Sequence, residues 1–244
     1  KDQISKDSDS SIINAIKETI HLLNEGKITV AEPQDGEWKI NEWIQKGILL
    51  SFRVNDKKII GGPYNAWNDF QHLPGKTAGW TEKEFSKAGF RLVPNCVVRN
   101  GSFIGKGAVI MPNSFINIGG YCGENSMVDT GARIGSAARL GANCHLSAGC
   151  GLGGILEPVG SKPTIIEDDC FIGALSEIVE GVIVRKGFGA KVNLSDLKKG
   201  DYITHFDYGV GMFDGLRIKE SNGRNQESIR IIYKNNDVLY ISIH

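Results

Sequence analysis

Residues 98–128 read VRNGSFIGKGAVIMPNSFINIGGYCGENSMV, and every sixth position in this stretch carries an apolar residue. The same phase holds on both sides of it, through Leu92, Val98, Ile104, Ile110, Ile116, Cys122, Val128, Ile134, Leu140, Leu146 and Leu152. Two residues before these positions, from residue 102 onward, all the side chains are small: Ser102, Ala108, Ser114, Gly120, Ser126, Ala132, Ala138, Cys144 and Cys150. A repeat of six matches neither the period of an α-helix nor that of a single β-strand.

Six residues suffice for one short strand and one corner. The apolar side chain then points inward and stacks on its counterpart in the next coil, while a small residue fits the crowded corner. Glycine often follows the apolar position, as at Gly105 and Gly123, where it gives the backbone freedom to turn. Three such faces close a triangular coil, and coils bury their apolar faces only by stacking in an array. The pattern predicts a mainly β protein with a parallel β-helix of hexapeptide repeats.

The phase breaks once, after Leu152, and resumes at Ile166, Ile172, Ile178 and Val184. The additional residues lie within 153–165, and we interpret GGILEP (153–158) as a loop that leaves the coil. Loops on solenoids commonly carry the binding surface. The repeat also accounts for the five cysteines, since the small corner position takes Cys96, Cys144, Cys150 and Cys170 and an inward position takes Cys122. We therefore predict reduced, structural thiols and no cysteine nucleophile.

The two ends of the chain follow other patterns. Residues 11–25 place apolar side chains at helical spacing, and Gly26 follows them as a helix stop signal. After Val184 the period of six is lost, and β-rich runs alternate with turn signals such as Asn222-Gly223. We expect three domains: an N-terminal α/β cap over 1–90, the β-helix over 91–186 and a small antiparallel β-barrel over 192–244.

The composition argues against several classes of function. The chain has 28 acidic and 28 basic residues, so nothing suggests bulk attraction to nucleic acid or to an anionic membrane. No apolar run approaches the roughly 20 residues that a membrane span needs. No secretory signal is visible, and the cysteines lack the paired spacing of a metal site. The sequence thus predicts a cytoplasmic protein without a bound metal.

Several longer runs resemble one known family. They are GFRLVPNCVVRNGSFI (89–104), SMVDT (126–130), GGILEP (153–158) and PTIIEDDCFIGALSEIVEGVIV (163–184). These runs and their separations are similar to the tetrahydrodipicolinate N-succinyltransferases of lysine biosynthesis, over about residues 10–185. The resemblance implies a left-handed parallel β-helix and a homotrimer with active sites between neighbouring subunits. It also implies transfer of a succinyl group from the co-substrate succinyl-CoA to the amine of ring-opened tetrahydrodipicolinate, with no permanently bound cofactor.

The same resemblance implies roles for single residues. Asp129 of VDT and Glu177 of LSE would be the catalytic carboxylates, and Arg91 of GFRLVP, together with Asp129, would bind the substrate. The chemistry agrees, because an amine that attacks a thioester must lose a proton, which a carboxylate can accept. Arginine pairs bidentately with a substrate carboxylate. The loop at Gly153 and Gly154 is a candidate source of backbone N–H donors to the oxyanion, or of contacts on the CoA side.

Two alternatives stay open, and the chain departs from the family pattern in three ways. His145 precedes an inward position, and many hexapeptide acyltransferases use a histidine base. Glu180 fits its position as well as Glu177 does. The family has Trp where this chain has Gly131, and Arg where it has Leu175. The further coils that help the family to hold CoA are replaced here by another kind of sequence.

The segment that replaces those coils resembles a second family. DLKKGDYITHFDYGVGMFDGL (196–216) and IRIIYKNNDVLYISIH (229–244) are similar to the RNA-polymerase-interacting domain of bacterial transcription-repair coupling factors, which CarD-type regulators share. The resemblance implies a Tudor-like β-barrel that binds the RNA polymerase β subunit. Two functions are therefore open: an N-succinyltransferase, or an inactive trimeric β-helix scaffold that carries a polymerase-binding module.

Overall fold

A computed structural model describes the chain over residues 4–61, 68–187, 197–205, 208–221, 224–234 and 236–242. The chain divides into two compact units, residues 1–190 and 191–244. This division falls in the junction that the sequence predicts, and the predicted cap and β-helix share the first unit. None of the helices in these ranges has the length and apolar character needed to cross a membrane.

The N-terminal part of the first unit mixes helices and strands, as predicted. Its elements are α1 (Ser10–Asn24), β1 (Ala31–Gln34), β2 (Glu37–Ile40), α2 (Glu42–Val54), β3 (Lys58–Gly61), β4 (Asn68–Gln71) and α3 (Glu82–Ala88). β1 pairs with β2 and β3 with β4, both in antiparallel register. Asp9 caps α1 by accepting the N–H of Ser11 at 2.8 Å, and Thr81 and Glu84 form a capping box at α3. The helix predicted at 11–25 is confirmed.

The helices α1 and α2 cover one corner of the β-helix. Their buried side chains share a core with corner residues of the coils, and this core comprises Ile20, Leu23, Val30, Ile44, Ile48, Ile118 and Ala137. A polar clamp supplements it, because the buried Lys76 Nζ donates to the carbonyl of Asn24 at 2.9 Å and to that of Ser102 at 2.8 Å. Apolar burial and this clamp hold the cap on the first coils.

Residues 91–184 wind through five triangular coils of two-residue strands. These strands are β5 (Arg91–Leu92), β6 (Val97–Val98), β7 (Phe103–Ile104), β8 (Val109–Ile110), β9 (Phe115–Ile116), β10 (Tyr121–Cys122), β11 (Met127–Val128), β12 (Arg133–Ile134), β13 (Arg139–Leu140), β14 (His145–Leu146), β15 (Gly151–Leu152), β16 (Ile165–Ile166), β17 (Phe171–Ile172), β18 (Glu177–Ile178) and β19 (Ile183–Val184). Every third strand pairs in parallel, which gives a first face (β5, β8, β11, β14, β17), a second face (β6, β9, β12, β15, β18) and a third face (β7, β10, β13, β16, β19). The predicted parallel β-helix of hexapeptide repeats is confirmed.

The inward and corner positions are occupied as the repeat predicts. The inward side chains from Val98 to Ile172 are all buried, with exposed fractions of 7% or less. Small corner residues add hydrogen bonds between coils: the Ser126 hydroxyl donates to the carbonyl of Gly141 at 2.7 Å. The interior is therefore a continuous apolar column whose corners are sealed by short polar side chains.

The cysteines belong to this interior. All five lie within the described ranges, and none forms a disulfide. Burial raises the pKa of the Cys122 and Cys144 thiols to about 12, which keeps them protonated and unreactive at neutral pH. The structural role predicted from their place in the repeat is confirmed for these two residues.

The break in the repeat is a loop between β15 and β16, as predicted. The described residues 153–164 contain no strand, and the N-terminal cap fixes their path. Gln45, which is fully buried on α2, accepts the N–H of Gly160 at 2.8 Å and donates to the carbonyl of Ser161 at 3.0 Å. The loop is thus anchored to the cap by hydrogen bonds in both directions.

Gly123 offers a test of how closely the coils stack. A Cβ at this position would lie 2.5 Å from the backbone nitrogen of Ala142 in the next coil, a contact that no side-chain rotation relieves. We expect Gly123→Ala to lower the free energy of unfolding by about 1–3 kcal/mol, measured by chemical denaturation. The matched control is Gly173→Ala, at the same place in the repeat of the last coil, where the nearest atom lies 4.0 Å away. Equal losses in both variants would contradict backbone crowding as the cause.

The second unit is an antiparallel sheet in the order β20 (Tyr202–His205), β21 (Gly209–Ser221), β22 (Arg224–Ile232) and β23 (Val238–Ser242). A register shift between Phe213 and Leu216 bends β21 and places Asp214 in a buried position. Its carboxylate pairs with Lys199 at 2.8 Å and with Arg230. The predicted antiparallel architecture is confirmed, whereas closure into a barrel stays a prediction. The Asn222-Gly223 turn lies outside the described residues.

Candidate active site

Asp129 lies at the corner between the first and second faces, directly after β11. Its side chain accepts the N–H of Thr130 at 2.6 Å, and its Oδ2 lies 3.4 Å from Nε2 of His145. The Thr130 N–H, with a further contribution from His145, holds the pKa of the Asp129 carboxyl below its usual range. Asp129 is therefore an ionised carboxylate at neutral pH, and its side chain is 27% exposed.

His145 lies on β14, one coil further along the first face, where it pairs in register with Met127. Its ring contacts the ring of Phe171, with centroids 5.1 Å apart in an edge-on arrangement. His145 is thus held between Asp129 on one side and Phe171 on the other. The two candidate bases that the sequence left as alternatives form one Asp–His pair.

Arg91 lies on β5 of the same face, two coils before Asp129. Its Nη2 is 4.0 Å from Sδ of Met111, and the backbone N–H of Met111 donates to Val128 in the coil of Asp129. Neighbouring strands lie about 4.8 Å apart, so about 10 Å of the outer surface separates the backbones of Arg91 and Asp129. The structure therefore places the predicted arginine on the first face and the predicted carboxylate at the corner of that face, two coils further on.

Glu177 lies on β18 of the second face, two coils beyond Asp129. Its Oε2 forms a short ion pair with Nη2 of Arg133, a residue on β12 that sequence reasoning did not single out. Asp129 and Glu177 flank the same edge of the β-helix, again separated by two strand spacings of about 4.8 Å each. An apolar concavity of about 350 Å³ adjoins Glu177 at the last coil, lined by Ile172, Ile178, Val179, Val182 and Val184.

Gly153 and Gly154 both take part in packing between coils, which leaves fewer of their backbone N–H groups free to contact a substrate. The N–H of Gly153 donates to the carbonyl of Ile178 at 2.7 Å, so it is already used within the second face. The Gly153 N–H is therefore not available to an oxyanion, and the role predicted for it is not supported. The same role of the Gly154 N–H stays a prediction. A Cβ on Gly154 would lie 2.6 Å from the carbonyl carbon of Gly135, which explains why a glycine stands there.

The two positions that depart from the family pattern flank this edge. Gly131 has a φ of 70°, and a Cβ there would meet no atom of the part of the chain that the structure describes within 4 Å, apart from its two chain neighbours, so the space outside the corner is open. Leu175 has a φ of 61° and is 83% exposed. Between them, the buried hydroxyl of Ser147 has no hydrogen-bond partner among the described residues. The edge near Asp129 therefore presents open space and apolar surface.

Comparison with known proteins identifies both parts of the chain. Residues 1–54 match the family model described as tetrahydrodipicolinate N-succinyltransferase N-terminal, and residues 163–188 match the hexapeptide repeat of succinyl-transferase. Residues 197–244 match the CarD-like/TRCF RID domain. The two resemblances predicted from sequence runs are confirmed.

Full-length relatives agree with the first two matches. The 2,3,4,5-tetrahydropyridine-2,6-dicarboxylate N-succinyltransferase of Pelagibacter ubique is 57% identical over 188 residues, which are 77% of this chain and 68% of the relative. The enzymes of that name from Chelativorans sp. and Bradyrhizobium diazoefficiens are 51% and 47% identical over 190 and 212 residues. These alignments cover 77% and 82% of this chain, and 66% and 74% of those relatives. The chain belongs to the tetrahydrodipicolinate N-succinyltransferase family.

Proposed function

We propose that this chain is a succinyl-CoA-dependent acyltransferase that acts on tetrahydrodipicolinate in the diaminopimelate branch of lysine biosynthesis. The observation that carries the proposal is the Asp129–His145 pair, in which His145 lies on the same outer face as Arg91 and Asp129 lies at the corner of that face. An ionised carboxylate suits a reaction in which an amine must lose a proton. The names and high identities of the relatives support the same reaction.

In the proposed reaction, the substrate amine attacks the thioester carbonyl carbon of succinyl-CoA. The nitrogen gives up a proton to the Asp129–His145 pair, the C–S bond breaks, and CoA leaves as a thiol once it has taken up a proton. Arg91 binds one carboxylate of the substrate through paired N–H donors. The backbones of Arg91 and Asp129 are about 10 Å apart. Arg91 can therefore hold that carboxylate while the substrate amine lies near Asp129.

A coupled assay tests this function directly. Thiol release from succinyl-CoA is expected only when tetrahydrodipicolinate is also present, and the product should carry one succinyl group on nitrogen. Absence of thiol release from a well-folded trimer would contradict the proposal. It would support the alternative in which the β-helix is an inactive scaffold.

The role of His145 within the pair can be read from the pH dependence. His145 contributes to the lowered pKa of Asp129, so His145→Gln should move that pKa back toward its ordinary value of 3.8 and leave Asp129 ionised above about pH 5. We therefore expect only a modest loss of activity from about pH 5 upward if Asp129 accepts the proton. A loss of about 10²- to 10⁴-fold at every pH would instead identify His145 as the base. The measurement is kcat/KM between pH 4 and pH 9.

The proposed assembly is a homotrimer in which each active site combines two neighbouring subunits. Within one chain, Asp129 and Glu177 lie on strands two coils apart and form no direct contact. A second copy that packs against this edge would supply the other carboxylate. Gly131 leaves room for it, since no atom of the described residues, apart from its two chain neighbours, lies within 4 Å of the position that a Cβ would take.

A second function is favoured by the C-terminal unit, which matches the CarD-like/TRCF RID domain. It would bind the RNA polymerase β subunit. Apolar side chains that a monomer leaves exposed support a partner surface on the strands β20 and β21, namely Tyr202 (78% exposed) and Val210 (62% exposed). Co-purification of the full chain with purified RNA polymerase tests this binding, and Tyr202→Ser should weaken it. Retention of the polymerase by the variant would argue against this surface.

A further inference from the structure

We propose that Arg133 is a positioning residue for the Glu177 carboxylate, and that Gly151 provides the gap through which the two side chains meet. The inference rests on the proposed function of Glu177, which it extends to residues of two further coils. Arg133, Gly151 and Glu177 occupy the same outward position of the second face in three successive coils. Arg133 Nη2 and Glu177 Oε2 form an ion pair directly outside Gly151.

The pair is unusual because it skips a coil. Other ion pairs of the β-helix, such as Arg185 with Glu167, join residues on neighbouring coils. The backbones of Arg133 and Glu177 are two strand spacings apart, or about 10 Å, so both side chains must lie flat along the face to meet. The long side chain of arginine reaches this far, and its guanidinium plane offers directed N–H donors to a carboxylate.

The contact between Arg133 and Glu177 requires a glycine at position 151. It is buried although it lies on an outward position, because the paired side chains cover it. A Cβ on Gly151 would lie 2.6 Å from Nη2 of Arg133 and 2.6 Å from the carboxyl carbon of Glu177. Any larger residue would therefore push the guanidinium and the carboxylate apart or off the face.

The consequence for catalysis is orientation of the carboxylate. Arg133 occupies Oε2 of Glu177, which leaves Oε1 as the oxygen that can face a substrate. Both side chains are about half-exposed, and such ion pairs contribute little to stability. A catalytic effect of Arg133 should therefore appear with no matching loss of stability. Misplacement of a catalytic group by about 1 Å can lower a rate about 100-fold.

The test uses the full chain and the variants R133Q, R133K, G151A, E177Q and the double variant R133Q/E177Q. We expect R133Q and G151A to lower kcat by about 10- to 100-fold with little change in KM, and R133K to restore part of it. R133Q should cost nothing further in the E177Q background, because the residue that it positions is already lost. Lys186→Gln, which removes the ion pair to Asp169 at another edge, is the matched control and should keep wild-type kcat.

Unchanged kcat in R133Q, or full additivity of R133Q with E177Q, would overturn the inference. The pairing itself is also checked without activity, in crystal structures of the full chain and of G151A. The Arg133 guanidinium should contact the Glu177 carboxylate in the full chain and should be displaced in G151A. A full chain in which the two side chains lie apart would overturn the inference whether or not the chain turns over. The contact in a chain that releases no thiol would show that the proposed function had failed and the pairing had not.

Discussion

Replacement of Asp129 by asparagine is expected to lower kcat/KM for succinyl transfer by about 10²- to 10⁴-fold, the usual contribution of a positioned proton acceptor. The substitution keeps the size of the side chain, but an amide cannot take a proton from the amine nucleophile. Folding should tolerate it, because the amide oxygen can still accept the N–H of Thr130, which now lies 2.6 Å from the carboxylate. The loss is measured as thiol release from succinyl-CoA.

Asp169→Asn is the matched control for this substitution. Asp169 also lies at a corner, with a φ of 59°, and its carboxylate pairs with Lys186 at 3.3 Å. It stands at the corner between the third and first faces, away from Arg91 and Asp129, so we expect unchanged kcat/KM. A similar loss in both variants would show that corner carboxylates act through folding, and would contradict a catalytic role of Asp129.

The interior of the β-helix could be predicted from sequence because its period assigns every sixth residue to one environment. Leu146 and Val128, for example, are inward and in register, as their spacing of one coil requires. For outward side chains the period gives only which residues lie about one coil apart, and not whether they touch. His145 and Asp129 are 16 residues apart, nearly one coil, and a count of coils would have placed them side by side.

The Arg133–Glu177 contact was harder to foresee. The two residues are 44 positions apart, and the loop at 153–164 interrupts the count of coils between them. Gly151, over which the two side chains meet, lies on a strand, and nothing in its place in the repeat marks it as the gap for a contact between the coils on either side. No single period of the sequence encodes such a contact.

Glu177→Gln is the second substitution with a large expected effect, a loss of about 10²-fold or more in kcat. The amide keeps the length of the side chain but loses the negative charge that pairs with Arg133 and that can orient or accept a proton of the substrate amine. Glu180→Gln is the control, because sequence position alone did not separate the two glutamates. A larger loss in Glu180→Gln than in Glu177→Gln would exchange their roles.

The same two substitutions show whether one chain or two build the active site. Chains that carry Asp129→Asn are co-expressed with chains that carry Glu177→Gln, each of which is inactive alone. If Asp129 of one subunit works with Glu177 of its neighbour, every mixed trimer contains one interface with both carboxylates intact. Random mixing in equal amounts should then restore about a quarter of wild-type activity, because about three quarters of the trimers are mixed and each has one intact site of three. A site built within one chain would restore none, since every chain lacks one of the two carboxylates.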